Sequence, residues 1–254
     1  MNSIYKELKQ RIDQHKQDLI REIKAFVNSL ETENRLIVEQ NDKIQEFQEL
    51  MNEFFKEKTT PFLVFLALKI KDALSLALSK FDEEPEYEMV RPIEEALGIK
   101  DGKIQKYRDG KMTVLYAIGA LKVLENDMAM LLRGSFMGTT LKKDLAAAAE
   151  RIVSRKHHDF FEVYTVGAIY QSYNAAVYKL GTEYGYPRFK YLGGLIEESR
   201  DFCVERNGHE FTREQGWEWN DMEWKGKIPG VSFFIQVGGY NCRHYLEWVK
   251  DGKD

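Results

Sequence analysis

The sequence predicts a mainly α protein ending in a small α+β C-terminal domain, with an N-terminal helical hairpin or coiled coil and a helical middle. Three observations carry that prediction. Ile4, Leu8, Ile12, His15, Leu19, Ile23, Phe26 and Leu30 follow alternating three- and four-residue steps, which is a heptad seam with one histidine in it. Neither Gly nor Pro occurs before Pro61. After Gly185 the composition shifts, and all four tryptophans fall between Trp217 and Trp248.

The first segment, residues 1–58, holds a second seam at Ile37, Ile44, Phe47, Met51 and Phe54, out of step with the first. The phase break near Glu31 to Asn34 predicts either two helices in a hairpin or one helix with a stutter. Such a pair either packs within the subunit or offers a surface for self-association. The second segment, residues 59–185, opens with Pro61 at a helix start, where its missing N–H costs nothing. Phe62 to Phe81 is apolar on most faces and reads as a central core helix. Gly98 to Gly110 is polar, with Asp101-Gly102 and Asp109-Gly110 as turn signals. Further helices are expected at Met112 to Arg133, from a Thr139 or Thr140 cap to about Lys156, and from Asp159 to Leu180 with a stop at Gly181. The basic polar junction Arg155-Lys156-His157-His158-Asp159 between the last two reads as a solvated loop. The third segment, residues 186–254, is too short for a generous core, and domains of that size often need a staple. Within it, Val231 to Val237 reads as a strand.

Charge and composition exclude several functions. The three segments carry 10 basic against 12 acidic residues, 17 against 17, and 10 against 12. No segment is basic overall, so the broad footprint of a duplex-binding protein is missing. The longest apolar run, Phe62 to Leu68, is far too short to span a bilayer. No apolar signal-peptide region follows Met1, and two cysteines without an export signal point to synthesis in a reducing cytoplasm. There is no Gly-x-Ser-x-Gly, phosphate loop or His-Glu-x-x-His, so the chain is expected not to be an enzyme.

The chemistry-bearing residues concentrate around the two cysteines. Cys203, His209, Cys242 and His244 pair as Cys-x5-His and Cys-x-His, and their types suit a tetrahedral zinc site, although the spacings are not those of a zinc finger. The same cysteines equally suit a reduced buried pair or a disulfide. Their blocks must share one core in so small a domain, so the two are expected to lie close together. Arg200 and Arg243 flank them, with Asp201 and Glu205 near in sequence, and are expected to bind carboxylates or carbonyls in a network linking the blocks. The tryptophans are expected mostly in the core, with one or two free to meet a partner.

These blocks also carry a resemblance. Tyr191, Gly193-Gly194, the Ser199-Arg200-Asp201-Phe202-Cys203 run, Asn207-Gly208, Phe211, Trp219 and Gly238 through Asn241-Cys242-Arg243-His244 together resemble the C-terminal domain of the minor head morphogenesis proteins of tailed bacteriophages, the group named after the F protein of phage Mu. The likeness covers about the last hundred residues. It implies a low-copy structural protein of a phage head, made in the host cytoplasm and residing in the virion. Portal or inner capsid proteins of the same phage would be its partners, with packaged DNA a further contact. In that group the position of His209 is more often a lysine, which weakens a four-ligand zinc site, whereas the cysteines and the Asn-Cys-Arg tract belong to the motif. Two other readings stay open: a portal adaptor or head–tail connector, and a metal-bound, nuclease-like DNA-processing module.

Overall fold

In the computed structural model, residues 1–33, 36–37, 42–108, 110–113, 122–136, 140–158 and 163–250 are described. The fold is mainly helical, with a small sheet near the C-terminal end. The chain divides into two compact units, one formed by Met1–Tyr5, Leu66–Lys103 and Val163–Asp254, the other by Lys6–Phe65 and Ile104–Glu162.

The second of these units is built on the heptad seam from Leu8 onward, Ile4 belonging to the first. Helix α1 (Asn2–Ser29) is followed by a two-residue antiparallel ladder, Thr32–Glu33 with Leu36–Ile37, and then by α2 (Lys43–Phe54). The phase break is therefore a real end of helix and not a stutter. All eight seam residues of the N-terminal stretch are buried within the chain itself, and each apolar one contributes about 1.5–3 kcal/mol of burial. The Phe26 and Phe47 rings of α1 and α2 lie 5.3 Å apart.

Pro61 does not open a separate helix. A π turn, Phe55–Thr59, joins α2 directly to α3 (Thr60–Leu78), and both the Thr60 N–H and its hydroxyl donate to the Phe55 carbonyl. A proline ring collides with the carbonyl four residues back, so a regular α turn cannot run through Pro61, and the wider π turn absorbs the conflict. The apolar run after it is one-sided: Phe62, Leu63, Leu66, Ala67, Ile70, Ala73, Leu74 and Ala77 are buried, while Val64 and Leu68 are exposed.

After a short helix α4 (Arg91–Ala96), two-residue ladders occupy the turn-rich region, one of them pairing Tyr107 with Met112 and Arg108 with Lys111. The predicted helix from Met112 begins, among the described residues, at Lys122, as α5 (Lys122–Ser135). Helix α6 (Lys142–His157) takes Leu141 as its N-cap without a side-chain bond, so Thr140 does not cap it, and Thr139 lies outside the described residues. Contacts Lys142 to Asn28, Glu150 to Lys24 and His157 to His15 run in opposite sequence directions, so α6 is antiparallel to α1.

The expected solvated loop around His157 is instead the last turn of α6, where His157 is buried while Arg155 and His158 stay exposed. His15 Nδ1 lies 3.1 Å from His157 Nε2, and His15 Nε2 lies 3.0 Å from Thr59 Oγ1. The polar residue in the heptad seam is thus satisfied by a second histidine and a hydroxyl.

In the other unit, helix α7 (Val163–Glu183) lies against the sheet. Its predicted start at Asp159 is outside the described residues. Gly181 is not its stop but an interior residue, since the helix runs on to Glu183, and the Trp248 indole occupies the space of its Cβ, which would meet Trp248 Cδ2 at 2.4 Å. The sheet is antiparallel, in the order β2–β1–β3, with β1 Arg188–Leu192, β2 Glu210–Thr212 and β3 Tyr245–Val249. Register pairs Phe189 with Phe211 and with Trp248, and Tyr191 with Leu246. The buried side of β1 therefore carries Phe189 and Tyr191. Short helices α8 (Asp201–Val204), α9 (Arg213–Glu218) and α10 (Phe233–Gln236) fill the connections. α9 opens with a reciprocal capping box between Thr212 and Gln215.

Val231 to Val237 is not a strand. Phe233, Phe234 and Gln236 are all buried on α10, and the Gln236 amide donates to the carbonyls of Ile228 and Val231 where a strand would have used backbone pairing. A short apolar run does not by itself distinguish buried strand from buried helical turn.

Candidate functional site

The site is assembled from three pieces of backbone. Cys203 sits on α8, held by its N–H to the Arg200 carbonyl at 2.8 Å. Cys242 lies in the turn before β3, with its N–H on the Gly239 carbonyl at 3.1 Å, and His244 immediately precedes that strand. Tyr191 comes from the central strand β1. The chain around Asn207 is tied back to it, because the Gly208 N–H donates to the Tyr191 carbonyl and the Tyr191 N–H to that of His209.

Cys203, Cys242 and His244 are all buried, and their two sulfurs and one imidazole nitrogen lie within 4.8 Å of one another. The Tyr191 hydroxyl donates to Cys203 Sγ at 3.2 Å. His244 Nδ1 lies 3.4 Å from Cys242 Sγ, to which the His244 backbone N–H also donates at 3.4 Å. His244 Nε2 is buried without a hydrogen-bond partner. The imidazole and the Tyr191 ring have centroids 5.1 Å apart.

The electrostatics are asymmetric. Hydrogen bonding from the Cys242 thiol, supported by His244 and Tyr191, pushes the Cys203 thiol down against the opposing effect of burial. Cys242 is raised well above its ordinary value, because it shares that proton with Cys203 and is buried besides. Burial, followed by the two neighbouring cysteines, likewise drives the Tyr191 phenol up, so it stays a donor. One negative charge is favoured in the pocket and a second is opposed.

Glycines make room for this cluster. A Cβ on Gly238 would stand 2.4 Å from Cys203 Sγ, 2.7 Å from Cys242 Sγ and 3.0 Å from the Tyr191 oxygen. A Cβ on Gly193 would stand 2.5 Å from His244 Cδ2. Gly238 and Gly193 are thus places where sulfur and imidazole press on backbone.

The sequence-predicted residues divide. Cys203, Cys242 and His244 converge; His209 is exposed and stands outside their group, its ring toward Phe211. The candidate four-ligand set is therefore three protein ligands. Arg200 does link the two blocks, but through the Tyr240 carbonyl and not through Asp201 or Glu205. Glu205 instead pairs with Arg206, whose guanidinium lies 3.9 Å from the Phe202 ring centre. Arg243 faces the Tyr5 ring at 4.6 Å. Asp201 is an exposed first residue of α8, and the Ser199 hydroxyl accepts from the Ile196 N–H. Asn241 takes a positive φ of 55°, with its Oδ1 buried and unpartnered. Among the tryptophans, Trp219 and Trp248 are core, Trp224 stacks on Phe202 at 4.2 Å, and Trp217 is 51% exposed.

Two contributors escaped the sequence reading. Tyr191 was visible as a motif residue but its hydroxyl role was not. Asn174, a buried polar residue on α7, donates to the His244 carbonyl at 3.4 Å and accepts from the Leu246 N–H at 3.0 Å, fixing the strand start that carries His244. Its sequence signal is no more than an amide directly before the apolar stretch Ala175-Ala176-Val177.

No protein-family model, curated protein or solved structure matches the chain. Among the described residues, no helix is long and apolar enough to cross a membrane.

Proposed function

We propose that the chain is a minor structural protein of a tailed-phage head, acting with the portal or inner capsid during assembly and genome packaging. The observation that carries this reading is the pair of cysteine-containing blocks and their resemblance to the Mu F-like C-terminal domain. The geometry supports it in one respect. Tyr191, Gly193, Cys203, Gly238, Cys242 and His244, which carry the resemblance, are also the residues that lock one small core together. A motif of that kind specifies a module shape and not a catalytic step. The exposed indole of Trp217 is the sort of anchor such a module offers a protein partner.

Disruption of the gene in the encoding phage tests this role. Electron microscopy of the lysate is expected to show heads that are malformed, empty or lacking attached tails, with restoration by the gene supplied in trans. Normal numbers of filled, infectious particles would refute it.

A further inference from the structure

The geometry points to Cys203 Sγ, Cys242 Sγ and His244 as the three protein ligands of a zinc-type metal ion, with the Tyr191 hydroxyl donating to Cys203 Sγ from outside that set. The inference is independent of the virion reading, since it uses only the local chemistry of the cluster.

Ligands around tetrahedral zinc, at about 2.3 Å for sulfur and about 2.0–2.1 Å for nitrogen, stand roughly 3.5–3.8 Å from each other. The three atoms here already share a space no wider than 4.8 Å, with sulfur and nitrogen 3.4 Å apart. Each sulfur also has a donor aimed at it. The Tyr191 hydroxyl aims at one sulfur and the His244 N–H at the other. Hydrogen bonds of this outer kind orient metal ligands and tune them. His244 is only 5% exposed, and its Nδ1 faces Cys242 Sγ. Soft sulfur and imidazole donors select zinc over magnesium or calcium. The surrounding domain is also small enough to gain from a staple. The ligands come from α8 and from the turn leading into β3, so a bound ion would cross-link the two motif blocks.

Cobalt(II) is the probe, added to the reduced, full-length chain after chelator treatment. The expected result is intense sulfur-to-cobalt charge-transfer absorption with tetrahedral visible bands, saturating at one equivalent and displaced by zinc. His209→Ala, at the exposed position outside the cluster, should leave the titration unchanged. Cys203→Ser and His244→Gln should abolish the charge-transfer saturation. Tyr191→Phe should weaken binding by about 10–100-fold, the usual cost of removing an outer-shell donor. Should a cysteine variant fail to fold, the wild-type chain decides alone: alkylating its thiols must abolish the signal. A folded, reduced wild-type chain that gives no charge-transfer band would overturn the proposal. So would a signal lost on His209→Ala, or one that survives thiol alkylation.

Discussion

Gly193 and Gly194 are adjacent, neither has a positive φ, and the structure assigns them opposite tolerances to alanine. A Cβ on Gly194 meets nothing within 4 Å. A Cβ on Gly193 would lie 2.5 Å from His244 Cδ2, 2.8 Å from Cγ and 3.0 Å from the His244 Cα. Optimal carbon–carbon separation is about 3.5–4.0 Å, so the imidazole would have to retreat by roughly 1 Å. It has little room to do so, because His244 is buried against Tyr191 and its backbone is held by Asn174. Overpacking of this kind costs about 1–3 kcal/mol, whereas Gly194→Ala should stay within about 0.5 kcal/mol of wild type. Urea unfolding followed by tryptophan fluorescence reads the relevant module directly, since every tryptophan lies between residues 217 and 248. With a urea dependence of about 2 kcal/mol per molar, Gly193→Ala should lower the midpoint by roughly 0.5–1.5 M. Equal midpoints for the two variants would refute the placement of His244 on this strand end.

Further outcomes follow from the same contacts. Burial is the main cause that holds His15 at about 4 and His157 at about 2, below their ordinary value. A depressed histidine contributes stability that is complete above the unfolded value near 6.5 and is lost as pH falls toward the folded one. Each should therefore cost about 1.4 kcal/mol per pH unit below roughly pH 6. Circular dichroism should show helix loss on acidification before tryptophan fluorescence changes, because the histidines and the tryptophans belong to different units; coincident transitions would count against it. Asn174→Ala leaves the Leu246 N–H and the His244 carbonyl without their partner and should destabilise by about 1–3 kcal/mol, read as an earlier fluorescence midpoint; an unchanged midpoint would show that the clamp is not made.

Much of the helical part was legible because the heptad seam is a long signal, and all eight of its N-terminal positions are buried. The convergence of Cys203 and Cys242 was legible for a different reason: a module this small has one core for two motif blocks. What was not legible depended on partners far away in sequence. His157 follows Arg155 and Lys156, and nothing local says that His15, 142 residues earlier, will bury it. The π turn before Pro61 and the helical turn at Phe233–Gln236 are local conformations that tertiary packing chose over the simplest propensity reading. His209 has the right chemistry for a ligand, but its side chain lies on the exposed side of the segment whose backbone pairs with Tyr191. Residue type and spacing do not resolve that difference of face.

The proposed head role is tested most directly by quantitative mass spectrometry of gradient-purified particles from the phage that encodes the chain. The account predicts peptides from both units of the chain in DNA-filled particles, at a copy number far below that of the major capsid protein. Absence from proheads and mature particles alike, with the chain confined to the soluble lysate, would contradict it.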